Sequence, residues 1–292
     1  MSHFNGVWVP IVTPFQHGEV DLLALRRLSE HLLSSGVAGL VVCGTTGEAA
    51  ALNTDEQIQV LDTVLEVAPG HQVVMGLAGN NLHDVLWLQR EVQKRELAGL
   101  LVPAPYYIRP SQDALETYFK TIANAANTNI ILYDIPYRTG VRLELETLRR
   151  IFSHPRIVAI KDCGGDSIIT QTLIADRQVD VLVGEDHQIL SALCLGASGI
   201  ISASAHLRPD LFVRVVQDVK NSRLSEARAT FQALFPLIRA LFVEPNPAPV
   251  KSGLAISGII SADLRLPMLP ASSHLADQLK VLLDEIKELR AF

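Results

Sequence analysis

Short, continuously apolar runs alternate with longer segments whose apolar residues recur at helical spacing, and the alternation persists over most of the chain. The apolar runs are Val7–Val12, Gly39–Val42, Gln72–Met75, Gly99–Val102, Ile130–Tyr133, Ile157–Lys161, Val179–Val183 and Gly199–Ile201. Unbroken apolar character, rather than apolar–polar alternation, is what parallel strands covered on both faces require. Between the runs, Asp21–Ser35 sets Leu22, Leu25, Leu28 and Leu32 on one stripe, and Ser111–Ala126 follows an Arg-Pro stop, both in keeping with amphipathic helices. Strand–helix alternation through eight strands predicts an α/β architecture closed into a (β/α)8 TIM barrel. A doubly wound open sheet is the competing arrangement, but no GxGxxG follows the first strand, as its nucleotide-binding form would show.

After the eighth run the pattern turns wholly helical, over Pro209–Asn221, Leu224–Phe242, Pro249–Ile260 and Ala271–Arg290. The last is expected to bury Leu279, Leu282, Leu283 and Ile286. No low-complexity linker intervenes. The chain therefore reads as one domain over residues 1–292, with a barrel to about residue 222 and a C-terminal helical extension from about 223. The Pro-rich stretch Glu244–Pro249 predicts a rigid turn, since proline removes donors and restricts the residue before it.

Composition narrows the function classes. Of 292 residues 48% are apolar and 19% charged, which argues for a large core and against disorder. A net charge of -6 lacks the basic face of a nucleic-acid binder. Cys43, Cys163 and Cys194 form no CxxC pair, and the nine histidines do not cluster, so neither a disulfide framework nor a metal site is expected. Runs such as Gly36–Gly44 fall far short of the roughly 20 residues that span a bilayer. The first fifteen residues lack a basic region followed by an apolar stretch, so no signal peptide is expected and the cytoplasm is the expected compartment.

In a barrel of this kind the reactive groups sit at the C-terminal ends of the strands. The sixth run ends in IVAIK, placing Lys161 behind four apolar residues. Desolvation there would disfavour the ammonium, and a neutral amine is what attack on a ketone needs; the residue reads alternatively as one that snorkels to solvent or pairs with Asp162. Tyr133 ends the fifth run at the same rim, as a proton-transfer phenol or as a packing aromatic. Gly44–Glu48 reads GTTGE, a turn whose N–H groups and Thr45 and Thr46 hydroxyls suit an anion, or in which a threonine caps the next helix. Tyr106 and Tyr107, inside Pro103–Pro110, divide between site and contact surface. Arg138 lies on the loop beyond Tyr133, a guanidinium suited to a carboxylate or a solvated arginine. At the seventh and eighth strand ends, Gly184 of Gly184–Asp186 and Ile201 of Gly199–Ser204 leave room and backbone groups for a ligand; Glu185 and Asp186 read more simply as loop caps. Nothing supplies Cys163 with a base, so the three cysteines read as structural.

Taken together, GTTGE at Gly44–Glu48, PYYIRP at Pro105–Pro110, YDIPYRTG at Tyr133–Gly140, IK at Ile160–Lys161, LFVEPNPAPVK at Leu241–Lys251 and LRLPM at Leu264–Met268 resemble the dihydrodipicolinate synthase family, within the N-acetylneuraminate lyase superfamily of pyruvate-dependent barrels. The resemblance implies that Lys161 forms a Schiff base with pyruvate. It makes Tyr133, Thr45 and Tyr107 a proton relay, with Tyr107 reaching across from a neighbouring subunit. Thr46 would bind the pyruvate carboxylate, Ile201 would line the same pocket through its backbone, and Arg138 would hold the carboxylate of L-aspartate 4-semialdehyde. The implied product is the cyclic precursor of dipicolinate on the lysine and diaminopimelate pathway. The implied assembly is a homotetramer of two tight dimers, or a homodimer, with Tyr106 at the dimer contact. No metal or organic cofactor is implied. Another pyruvate-dependent aldolase or hydratase-aldolase of the superfamily, taking a different aldehyde, is the alternative; a barrel that binds small molecules without turnover is more distant, since every expected chemical group is present.

The chain departs from the family pattern at two flanks of the site. Asp134 follows Tyr133 where asparagine is usual, and Asp-Cys-Gly-Gly follows Lys161 where Glu-Ala-Thr-Gly is usual. These changes are expected to flank the pocket and to bear on the aldehyde accepted. At the family's feedback site for lysine, Asn80 and Tyr106 match, but Thr54 and Gln57 stand at two histidine positions and Asp84 at a glutamate. Weak or absent inhibition by lysine is expected.

Overall fold

The computed structural model describes residues 4–289. Eight parallel strands close on themselves: β1 (Gly6–Pro10), β2 (Gly39–Val42), β3 (Val73–Gly76), β4 (Gly99–Pro103), β5 (Asn129–Asp134), β6 (Ile157–Asp162), β7 (Asp180–Val183) and β8 (Gly199–Ile201), with β8 pairing β1 to complete the ring. The predicted (β/α)8 barrel is the observed one, each expected strand present within two residues at either end. Around it run α1 (Leu22–Ser34), α2 (Thr54–Leu65), α3 (Leu82–Val92), α4 (Gln112–Asn124), the single turn α5 (Pro136–Thr139), α6 (Leu145–Phe152), α7 (Ser167–Asp176), α8 (Ile189–Leu195) and α9 (Pro209–Lys220).

Strand parity divides the apolar residues into two cores. Trp8, Val41, Val74, Leu101, Ile131, Ala159 and Leu182 face inward and fill the barrel, while their neighbours Val9, Leu40, Val42, Met75, Leu100, Leu132, Ile160 and Val183 pack outward against the helices. Side chains two residues apart share a face. Tyr133, two beyond Ile131, and Lys161, two beyond Ala159, therefore enter the barrel above its apolar plug. Gly39 is required by this plug, and Gly199 by the close approach of the β1 backbone. A Cβ on Gly39 would lie 2.4 Å from the Trp8 ring, and one on Gly199 2.4 Å from the Gly6 carbonyl.

The C-terminal extension consists of α10 (Leu224–Ala240), α11 (Ala248–Ile256) and α12 (Ser273–Ile286). α10 packs on α9, and α12 on α10 and α11. Several helices are shorter than predicted, α4 and α12 at both ends, the latter stopping at Ile286. α10 stops at Ala240, before Phe242, and α11 stops near the left-handed Gly258 (φ +72°) rather than at Ile260. Arg290, the expected end of the last helix, lies outside the described residues, as do residues 1–3 of the N-terminal stretch. The Pro-rich turn is irregular through Asn246, but Ala248 and Pro249 already belong to α11, because proline is tolerated in a first helical turn. A small hairpin, Phe15–Gln16 with Glu19–Val20, was not expected; it lies between β1 and α1. Among the described residues no helix is long and apolar enough to cross a membrane.

Candidate active site

β5 and β6 bring the two leading candidates together by register: Tyr133 and Lys161 are directly paired residues on adjacent strands. The Lys161 Nζ lies over the Tyr133 ring, 4.3 Å from its centroid. Both side chains are buried. Burial pulls the Lys161 ammonium below its usual range, against the opposing pull of Cys163, Asp186 and Glu185. Burial likewise drives the Tyr133 phenol well above 10, opposed by a hydrogen bond with Thr45. The pair is thus an amine biased toward neutrality beside a phenol that keeps its proton.

Lys161, Tyr133, Thr45, Thr46, Arg138, Gly184 and Ile201 line one cavity of about 340 Å³ at the C-terminal mouth of the barrel. Seven of the eight residues singled out from sequence therefore meet at one place. The eighth, Tyr107, does not. Its side chain is 87% exposed, its backbone is left-handed (φ 75°) and its N–H donates to the Thr139 carbonyl, so it lines no part of its own chain's cavity.

Each wall has a local cause. The Gly44–Glu48 turn is closed by the Gly47 and Glu48 N–H groups donating to the Gly44 and Thr45 carbonyls. Thr46 is buried, and its Oγ1 accepts from the Asn246 amide at 2.9 Å, which leaves the hydroxyl proton free to donate elsewhere. The capping alternative for the threonines is set aside, because the next long helix is capped by Asn53 in a capping box with Glu56. Gly184 is there for space: a Cβ would sit 2.3 Å from the Cys163 Sγ and 2.7 Å from the Lys161 Cε. Cys163 touches the cavity, but burial pushes its thiol up, so it has no thiolate character. Arg138 is exposed at the mouth.

The remaining mouth residues were not singled out from sequence. Tyr137 donates to Glu185 Oε1 at 3.0 Å across the opening, and Phe242–Asn246 of the C-terminal extension form the opposite side. Glu185 therefore ties Tyr137 to the seventh strand end, and Asp186 behaves as a cap, accepting from the Ser204 N–H at 2.8 Å while fully buried. The LFVEPNPAPVK stretch was part of the family resemblance, but no strand-end position marked it for the site. A second cavity of about 540 Å³ joins the first at Thr45, Tyr133, Arg138 and Asn246 and extends to Tyr106, Gln57 and Arg265.

Of the departures from the family pattern, Cys163 lines the cavity, whereas Asp134 and Asp162 lie behind its wall. Asp134 and Asp162 are paired one step beyond Tyr133 and Lys161, so parity turns them toward the helices. Asp162 accepts from the Thr170 hydroxyl of α7 at 2.5 Å and from the Gly164 N–H. Burial, and then the charge of Asp162, push Asp134 up to about 7. Neither carboxylate lines the cavities. No group of three or more His, Cys, Asp or Glu able to hold a metal ion occurs among the described residues.

Residues 3–286 match the model of the dihydrodipicolinate synthetase family. The chain belongs to that family. It is 37% identical over 289 residues to a 4-hydroxy-tetrahydrodipicolinate synthase of Thermotoga neapolitana, covering 97% of this chain and 98% of that one. The dihydrodipicolinate synthase of Thermotoga maritima superimposes with a TM-score of 0.93 at 36% identity, over 97% of this chain and 98% of that one. That of Acinetobacter baumannii, described as chloride-inhibited and complexed with pyruvate, gives 0.93 at 32% identity over 97% and 99%. The family expectation drawn from the six motifs thus agrees with the comparisons along nearly the whole length, and the synthetase-family fold is the barrel described above.

Proposed function

We propose that this chain is a lyase that condenses pyruvate with L-aspartate 4-semialdehyde, as a 4-hydroxy-tetrahydrodipicolinate synthase of lysine and diaminopimelate biosynthesis. The observation that carries the reading is the desolvated Lys161 amine stacked on the Tyr133 ring inside the cavity. The family membership and the pyruvate complex of the Acinetobacter baumannii relative support it.

In this mechanism the Lys161 nitrogen attacks the ketone carbon of pyruvate, and the former ketone oxygen takes up a proton to give a carbinolamine. A second proton on that oxygen lets it leave as water, giving the protonated imine (iminium). Loss of a methyl proton then yields the enamine, whose carbon adds to the aldehyde. Tyr133, held by Thr45, is the proton carrier beside the amine. The Thr46 hydroxyl, with its acceptor side filled by Asn246, donates to the pyruvate carboxylate. Gly184 and Ile201 give the bound ketone room on the far side, and the Arg138 guanidinium at the mouth takes the carboxylate of the aldehyde.

Tyr107 completes the relay only from another subunit. Tyr106, Tyr107 and Ile108 are all exposed on one loop, which supports a homodimer, or a homotetramer of two such dimers. The net charge and the absence of a disulfide among free Cys43, Cys163 and Cys194 support a cytoplasmic, small-molecule enzyme without nucleic-acid or membrane partners. Borohydride reduction in the presence of pyruvate tests the reading. A covalent pyruvate adduct on Lys161, absent in Lys161→Ala, is expected; an unlabelled parent protein overturns it. Turnover of L-aspartate 4-semialdehyde above other aldehydes in a panel tests the second substrate.

A further inference from the structure

Two hundred residues from the Gly44–Glu48 turn, the chain supplies a side chain that the mechanism does not use. Lys251, on α11, is fully buried, and its Nζ lies 2.5 Å from Glu48 Oε1. The same ammonium donates to the Asp263 carbonyl at 2.9 Å and sits 4.2 Å from the centre of the Phe15 ring. Arg265 stacks on that ring at 4.6 Å, and its backbone N–H points to Glu48 Oε2 at 3.4 Å. Lys251 lines neither cavity, and Glu48 lines the adjoining one but not the cavity that holds Lys161.

A buried ion pair is a poor stability device, because the desolvation of both charges offsets much of their attraction and an apolar pair of similar volume is often as stable. What it does supply is a fixed direction. Glu48 ends the turn in the left-handed conformation (φ 53°), with Thr45 and Thr46 immediately before it. On its barrel side the turn is held by contacts: Thr13 Oγ1 donates to the Gly47 carbonyl at 2.7 Å, and a Cβ on Gly47 would meet the Ile11 carbonyl at 3.0 Å. On the opposite side the restraints come from the C-terminal extension, through Asn246 on Thr46 and Lys251 on Glu48.

We propose that Glu48 and Lys251 are positioning residues, a buried pair that locks the threonine turn in register with Lys161 and so makes the C-terminal extension a working part of the active site. The proposal rests on the pyruvate reading above. It accounts for a charge pair in a place where packing alone would be served by apolar residues, and for the path of the chain after α10 back over the mouth of the barrel.

The test uses the full chain with three variants, Glu48→Gln, Lys251→Met and the double variant. Each single variant leaves one buried charge or polar group unmatched and is expected to lower the melting temperature. The double variant removes both charges and is expected to recover most of that stability. Positioning predicts that the KM for pyruvate rises roughly tenfold or more in the singles and stays raised in the recovered double variant, because a displacement of about 1 Å in a binding group can cost up to about 10²-fold. The KM for the aldehyde at saturating pyruvate should stay within about twofold of the parent, while kcat should fall as well, since the displaced turn also carries Thr45, which holds Tyr133. A pyruvate KM that returns to the parent value together with stability shows the pair to be structural only and overturns the proposal, as does a double variant that fails to fold. The parent protein, trapped with pyruvate and borohydride in the same series, separates the two levels. No adduct in the parent removes the pyruvate reading itself; an adduct with unchanged KM in all three variants removes only the positioning role.

Discussion

Replacing Gly184 by alanine adds a single methyl group where there is no room for one. The new Cβ would lie 2.3 Å from Cys163 Sγ, 2.7 Å from Lys161 Cε and 3.1 Å from Lys161 Cγ. Carbon and sulfur atoms need well over 3 Å, so at least two side chains must give way. The Gly184 backbone is not in the left-handed region, so the penalty is steric rather than conformational. Overpacking of this kind costs about 1–3 kcal/mol, read as a fall of a few degrees in melting temperature at roughly 2–4 °C per kcal/mol for domains somewhat smaller than this one. The kinetic effect should be larger than that figure suggests. The methyl presses on the stem of Lys161, and a nitrogen displaced by about 1 Å from its attack position can lose about 10²-fold in rate. The assay is kcat/KM for pyruvate consumption alongside borohydride trapping and thermal melting. Adding Cys163→Ala removes the 2.3 Å clash but leaves the 2.7 Å one. The double variant should therefore regain stability and remain slow. A Gly184→Ala protein that melts and turns over like the parent would refute the reasoning, since the Lys161 side chain would then have space the structure denies it.

Three other outcomes follow from the same geometry. Arg138→Ala should raise the KM for the aldehyde far more than that for pyruvate, by roughly tenfold or more as for a lost charge-assisted contact; if pyruvate suffers most, the two carboxylate sites are assigned the wrong way round. Lysine should inhibit weakly or not at all, because the Gln57 amide is already bonded to the Ala49 and Leu52 carbonyls and Asp84 accepts from Asn81; tight inhibition in a lysine titration contradicts this. The stability contributed by His206 should fall between pH 6.5 and 4, while Asp134, raised by burial to about 7, contributes in the opposite sense over the same range. His206 is fully buried, its Nε2 accepting from the Val12 N–H and its Nδ1 donating to the Ala203 carbonyl, and burial lowers its pKa to about 4. A depressed histidine binds its proton more readily when unfolded, so stability is complete above the unfolded value near 6.5 and declines toward 4, by about 3 kcal/mol in all. Urea midpoints of the parent and of His206→Gln at pH 7 and 5 measure it as a difference: the parent should lose stability relative to the variant on going to pH 5, and an unchanged difference refutes it.

Much of the site was legible because reactive residues stand at the C-terminal ends of apolar runs. The runs ending IVAIK and ILYD put Lys161 and Tyr133 at one rim, but because both runs are apolar at every position only the structure showed that Ile131 and Ala159 face inward and that the amine and phenol pair. Strand-end glycines and small residues, Gly184 and Gly44 among them, were legible for a related reason: a crowded rim tolerates little else. Two details were less accessible. The threonine turn read equally as a helix cap until Asn53 was seen to fill that role. The end of α11 came earlier than expected because Gly258 adopts a left-handed turn, which apolar periodicity does not report.

Apolar runs, helical periodicity and strand count are properties of neighbouring residues, and from them the chain alone determined a barrel with its reactive groups at one rim. Contacts between segments far apart in sequence carry no periodic signal, and those only the tertiary structure decided: Asn246 on Thr46, Lys251 under Glu48, Tyr137 across to Glu185, and Tyr107 facing away from its own cavity. The reason is geometric. Closing eight strands into a ring and folding the last helices back over its mouth brings together residues up to two hundred positions apart, and nothing local to either one records where the other will be.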